Sequence, residues 1–148
     1  MSERTIEILD RLIGRMLAQS FHRNGPKYLS SVARRVRVVE SWEYADLLED
    51  AVDAGRLSEA DRNVLCWVGV VLRGHRRQDD QDVYFVVEAT ADIHIEDVVR
   101  AATHATLMEQ LGRPVVPIVA GRRLDDGAAI VARERGVWFV VDDELTPP

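Results

Sequence analysis

Residues 65–90 read LCWVGVVLRGHRRQDDQDVYFVVEAT. Two apolar runs flank a polar insert. Residues 65–73 are apolar apart from Gly69 and Arg73, and Val83-Tyr84-Phe85-Val86-Val87 leads into Glu88. Branched and aromatic side chains suit a pleated, packed surface, so both runs are predicted to be strands. The insert from Gly74 to Asp82 holds Arg76, Arg77, Asp79 and Asp80. It is too short to carry a crossover helix, so the strands must pair antiparallel.

Beyond the hairpin, helix and strand alternate. Residues 95–111 carry Val98, Val99, Ala102, Ala105, Thr106 and Met108 at helical spacing, with Gly112 as the stop. Val115 to Ala120 is a continuous apolar run of the buried, parallel type. A helix over 125–135 ends at Gly136, a strand comes next at 137–141, and residues 143–148 form a tail. The expected fold class is therefore α/β, a mixed sheet made of an antiparallel hairpin followed by αβαβ and flanked by helices.

The region before the hairpin is mainly helical. Ile6, Leu9, Ile13 and Met16 recur at spacings of three and four, and predict a helix from Glu3 to Phe21 that stops at Asn24-Gly25-Pro26. Its apolar stripe either makes a homodimer seam or packs on the chain's own core. A strand is expected at 36–39, a helix capped by Ser41, and a short helix capped by Ser58. The 148 residues read as one domain: 1–60 mainly helical, 61–142 the core, 143–148 the tail.

Composition narrows the classes of function. Apolar residues are 47% of the chain and charged residues 30%, enough for both a core and a charged surface. The net charge of −6 argues against wholesale electrostatic capture of nucleic acid. Charge is uneven, however: Arg23, Lys27, Arg34, Arg35 and Arg37 lie close together, with Glu40 the one nearby carboxylate. Arg34, Arg35, Arg37, Arg76 and Arg77 are the candidate nucleic-acid contacts, against the alternative of a solvated basic face. The single cysteine, Cys66, excludes an internal disulfide and reads as a small buried hydrophobe. No apolar run approaches a membrane span, and a cytoplasmic location is expected.

The hairpin, the helix opened by Asp97-Val98-Val99-Arg100-Ala101, Pro117-Ile118-Val119-Ala120-Gly121 and Gly136-Val137-Trp138 together resemble the PD-(D/E)xK nuclease-like (restriction-endonuclease-like) superfamily, specifically an uncharacterised bacterial branch. The resemblance covers roughly residues 40–142 and is strongest from residue 70 onward. It implies an acid on one hairpin strand and an E-x-K or D-x-K triplet on the next. Those groups hold Mg²⁺ or Mn²⁺, which activates a water. Glu88 fits the triplet's acid, but Thr90 stands at the lysine position and Gly69 at that of the first aspartate.

This partial set is compatible with three functions. The leading one is a catalytically degenerate nuclease-like domain, a pseudo-nuclease, acting as a binding or assembly module. The second is an active Mg- or Mn-dependent nuclease whose ligands have migrated around Glu88, drawing on Asp82, Glu40, Asp92 or Arg100. The third is a structural scaffold subunit with no nucleic-acid role. The partners these readings imply are a second copy of the chain through the N-terminal helix, or a nucleic acid or protein. Asp97, Arg100 and His104 share one helix face, read as a solvated network.

Overall fold

The computed structural model describes residues 2–148. The chain opens with a long helix, α1 (Glu3–Tyr28), followed by β1 (Ala33–Val38), α2 (Ser41–Asp53) and α3 (Glu59–Leu65). The hairpin is β2 (Val70–Arg76) and β3 (Asp82–Ala89). A short β4 (Asp92–Ile93) leads into α4 (Ile95–Met108), a 3₁₀ turn at Glu109–Leu111, and β5 (Val115–Gly121). The chain ends with β6 (Arg123–Leu124), α5 (Asp126–Arg135), β7 (Trp138–Val141) and β8 (Glu144–Thr146).

Six strands form one sheet in the order β1-β2-β3-β5-β7-β8. β2 pairs antiparallel with β1 on one side and β3 on the other, β3, β5 and β7 run parallel, and β8 returns antiparallel. The expected mixed α/β sheet, an antiparallel hairpin followed by αβαβ, is present. β4 and β6 make a separate parallel pair.

β3 is central and covered on both sides, which is why its sequence is an unbroken apolar run. Tyr84 and Val86 face Leu48, Leu65 and Met108 from α2, α3 and α4. Val83, Phe85 and Val87 face the other way, onto Phe21 of α1 and Leu29 beyond it. A further apolar cluster fastens α4 and α5 together through Val98, Ala101, Ala128 and Ala132.

Several expectations need correction. α1 does not end at Asn24-Gly25-Pro26 but bends there, with Asn24 non-helical (φ −122°, ψ 19°), and continues to Tyr28. Pro26 falls in the first turn after the bend, where a helix has no partner for its N–H anyway. The strand expected from residue 65 starts at Val70. Leu65 is the last residue of α3, whose cap Ser58 accepts the Asp61 amide at 3.1 Å. A short apolar run does not by itself separate a helix end from a strand. Cys66 is consequently exposed, its Sγ donating to the Asn63 carbonyl, and is not a buried hydrophobe. Glu40, not Ser41, caps α2, with its amide donating to the Glu43 carboxylate at 3.3 Å. On α4 Thr106 faces outward, and the buried positions are Asp97, Val98, Ala101, Ala105 and Met108.

The largest departure concerns how α1 is turned. At about 100° per residue, all six charged side chains between Glu3 and Arg15 fall within one arc of about 140°. Gly14 and Ala18 lie in the same arc, and that arc faces the sheet. A β-carbon at Gly14 would sit 3.2 Å from the Ala89 carbonyl oxygen, so the small residue permits a close approach to the end of β3. The apolar arc points outward: Ile6, Ile8, Leu9 and Leu12 are all exposed, and Met16 is 67% exposed. The stripe does not pack on the chain's own core.

Candidate functional site

β3 brings Glu88 to its end on the same face as Tyr84 and Val86, towards α4. The Glu88 side chain is only 15% exposed, and an ionised carboxylate so placed requires partners. It has two. His104 Nδ1 lies 2.5 Å from one oxygen, and Arg100 Nε donates to the other at 3.1 Å. Arg100 Nη2 also donates to Asp97 Oδ1 at 2.5 Å, while Asp97 Oδ2 accepts the His94 amide at 2.9 Å and so ties the start of α4. Asp97, Arg100 and His104 are one turn apart along α4, so one helix face supplies all three groups.

This network is not the solvated arrangement expected from the sequence. Asp97 is 7% exposed, and the His104 side chain 13%. Burial pulls the Arg100 pKa down, but its bonds to Glu88 and Asp97 outweigh that and hold it above its ordinary value. Arg100 stays charged between its two carboxylates.

Gly69 comes before β2. The register pairs Val70 with Val87, so one step further places Gly69 across from Glu88. A β-carbon at Gly69 would meet nothing nearer than the Val87 carbonyl oxygen, at 3.8 Å. Space for a side chain exists there, but the chain offers none. Thr90 continues the ladder by one bond, its amide donating to the Ala120 carbonyl at 2.9 Å. Gly69, Glu88 and Thr90 together line a cleft of about 510 Å³ under α1.

The proposed migrated ligands do not converge on Glu88. Asp82 is at the opposite end of β3, six residues or roughly 20 Å away at about 3.3 Å per residue. There it bonds Arg73 Nη2 at 2.7 Å and also Arg113. The Arg73 hydrogen bond, opposed by partial burial and reinforced by Arg113, holds its carboxyl down to about 2. Glu40 caps α2 and lies 3.4 Å from His22 Nε2. Asp92, in the small β4–β6 sheet, is 3.4 Å from Arg123 Nε. Among the described residues no three His, Cys, Asp or Glu side chains gather as a metal-binding group. The residues present do not fit a magnesium or manganese centre: one carboxylate faces two cationic or hydrogen-bonding side chains where the nuclease chemistry needs at least two carboxylates facing a metal.

The candidate basic residues lie along the paired strands β1 and β2 and the turn after them, but most are already engaged. Arg34 is held by Asp80 at 2.6 Å, Arg76 by Asp79 at 2.7 Å, and Arg77 Nε donates to the Ser30 carbonyl. Arg35 (φ 55°) sits at the irregularity in β1, and Arg37 stands opposite Arg73. Both are exposed and form no ion pair among the described residues. Sequence reasoning missed a second set of cations. Arg11 and Arg15 of α1 line the cleft beside Gly69 and Thr90, with Asp10 near them. Trp67, also lining it, is 86% exposed. The i,i+4 spacing of Arg11 and Arg15 was the available signal, but its use depends on knowing which arc of α1 faces the sheet.

No family model matches the chain, and no curated protein matches it. Among solved structures, a repair endonuclease from Pyrococcus abyssi is similar over 54% of this chain and 34% of its own length, at 25% identity and a TM-score of 0.35. The match thus spans about a third of that protein's length.

Proposed function

We propose that the chain is a nuclease-like domain without metal-dependent cleavage, acting as a binding module for single-stranded nucleic acid at the cleft under α1. One observation carries the reading: both Glu88 oxygens are engaged by Arg100 and His104, with no carboxylate opposite at Gly69 and no cation at Thr90. The cleft offers what a non-cleaving site needs. Arg11 and Arg15 supply guanidinium groups for backbone phosphates, and the exposed Trp67 indole supplies a face on which a base can stack. The net charge of −6 confines attraction to this local surface.

The test combines cleavage and binding. Labelled single- and double-stranded DNA and RNA should survive incubation with Mg²⁺ or Mn²⁺, and cleavage abolished by Glu88→Ala would overturn the proposal. Fluorescence anisotropy should show single-stranded oligonucleotide binding that weakens with salt. Trp67→Ala should weaken it roughly tenfold, in line with ~1–3 kcal/mol per stacked base. Arg11→Ala with Arg15→Ala should also reduce the salt dependence by about two phosphate contacts.

A further inference from the structure

We infer that the outward arc of α1 is the interface with a second copy of this chain, the two helices packing antiparallel. This does not rest on the binding function, because the cleft uses the opposite arc of the helix.

The outward arc carries Ile6, Leu9, Ile13 and Met16 at the three–four–three spacing of a helix seam, flanked by Ile8, Leu12 and Leu17. From Thr5 to Gln19 it holds no charged residue. The six charges on the other arc cancel, with Glu3, Glu7 and Asp10 against Arg4, Arg11 and Arg15. A strongly acidic or basic partner gains nothing from such a helix, whereas two copies of it, each neutral over Glu3–Arg15, add no repulsion at the seam.

The two halves of the arc differ in shape. Residues 2–9 are exposed on every side of the helix. Further along, Ile13, Met16 and Leu17 form one wall of a groove of about 400 Å³, with Tyr28 and Val140 opposite. Each copy therefore has an exposed apolar turn and an open apolar groove. Only an antiparallel pair places each turn in the other copy's groove, and the arrangement closes as a two-fold dimer. A parallel pair would leave both grooves empty. In the antiparallel register Ile6 of one copy meets Met16 of the other, and Leu9 meets Ile13.

Light scattering after size exclusion, at tens of micromolar full-length chain, should report a dimer. Leu9→Arg alone and Ile13→Glu alone should each be monomeric, with helical circular dichroism retained. An equal mixture of these two variants should recover the dimer mass, because antiparallel packing sets the introduced arginine against the introduced glutamate at one contact and leaves the native pair at the other. Met16→Arg, at the most exposed seam position, should also be monomeric. A monomeric wild type overturns the inference, and its flotation with anionic lipid vesicles would assign the arc to a membrane surface instead. Single variants that stay dimeric, or a mixture that stays monomeric, overturn it as well.

Discussion

Replacing Glu88 with glutamine separates a structural latch from a metal ligand without any substrate. Glutamine keeps the shape and one acceptor oxygen, but it removes the charge that draws both Arg100 and His104. The side chains of Glu88 and His104 are 15% and 13% exposed, so solvent offsets little of the loss. Hydrogen bonds to charged groups contribute about 1.5–3 kcal/mol each, and glutamine retains part of one, so the substitution should cost about 2 kcal/mol. A chain of this length loses about 2–4 °C of melting temperature per kcal/mol, giving a fall of ~4–8 °C. Urea unfolding followed by circular dichroism would measure it, with Glu88→Gln, His104→Ala and the double variant closing a cycle. The coupling between the two positions should exceed about 1 kcal/mol, as expected for residues in direct contact. A carboxylate held for a metal behaves in the opposite way, because removing it from a like-charged cluster relieves repulsion in the metal-free chain. If Glu88→Gln is as stable as the wild type or more so, the latch reasoning is wrong.

Other sites give independent checks. Asp82 has its carboxyl held down to about 2, chiefly by Arg73. The stabilisation it gives is therefore full above the ordinary carboxylate value near 4 and lost as pH falls through about 2; after solvent screening it amounts to ~1 kcal/mol. Acid unfolding of Asp82→Asn should lack that component, and an unchanged acid limb would remove Asp82 from the account. Gly121→Ala would place a β-carbon 2.6 Å from Ile93 Cγ1 and should cost ~1–3 kcal/mol by overpacking. Gly69→Ala meets only an ordinary contact, the Val87 carbonyl oxygen at 3.8 Å, and should change stability by less than about 0.5 kcal/mol in urea titration; the reverse order would contradict the described packing. Cys66 is exposed, so one equivalent of a disulfide-exchange reagent should react with the folded chain within minutes, whereas protection until unfolding would place the thiol inside.

The parts of the fold legible in the sequence are those where both faces of an element are committed. β3 and β5 announce themselves by runs with no polar interruption, and α4 by its buried stripe and the left-handed Gly112 (φ 96°) after its last turn. The boundary between α3 and β2 was not legible, because Leu65 and Val70 are both buried and only the geometry between them, with Trp67 turned to solvent, separates helix from strand. Glu88 was legible in half. A carboxylate at the end of a buried strand had to find partners, and Asp97, Arg100 and His104 at spacings of three and four were visible as one face of a helix. What sequence cannot provide is the register that sets this face over the end of β3.

α1 shows the same limit from the other side. A period of 3.6 says that a helix has an apolar face but not what covers it. Here the small and charged residues were the ones needed against the sheet: Gly14 for close approach to the Ala89 carbonyl, and Arg11 and Arg15 for the cleft. Once those positions are fixed, helical geometry leaves Ile6, Leu9, Ile13 and Met16 no direction but outward. The cations at the cleft and the uncovered stripe are thus two consequences of one placement. The arc of α1 that faces Gly69 and Thr90 brings Arg11 and Arg15 to the cleft, and the arc opposite leaves Ile6, Leu9 and Met16 exposed to solvent.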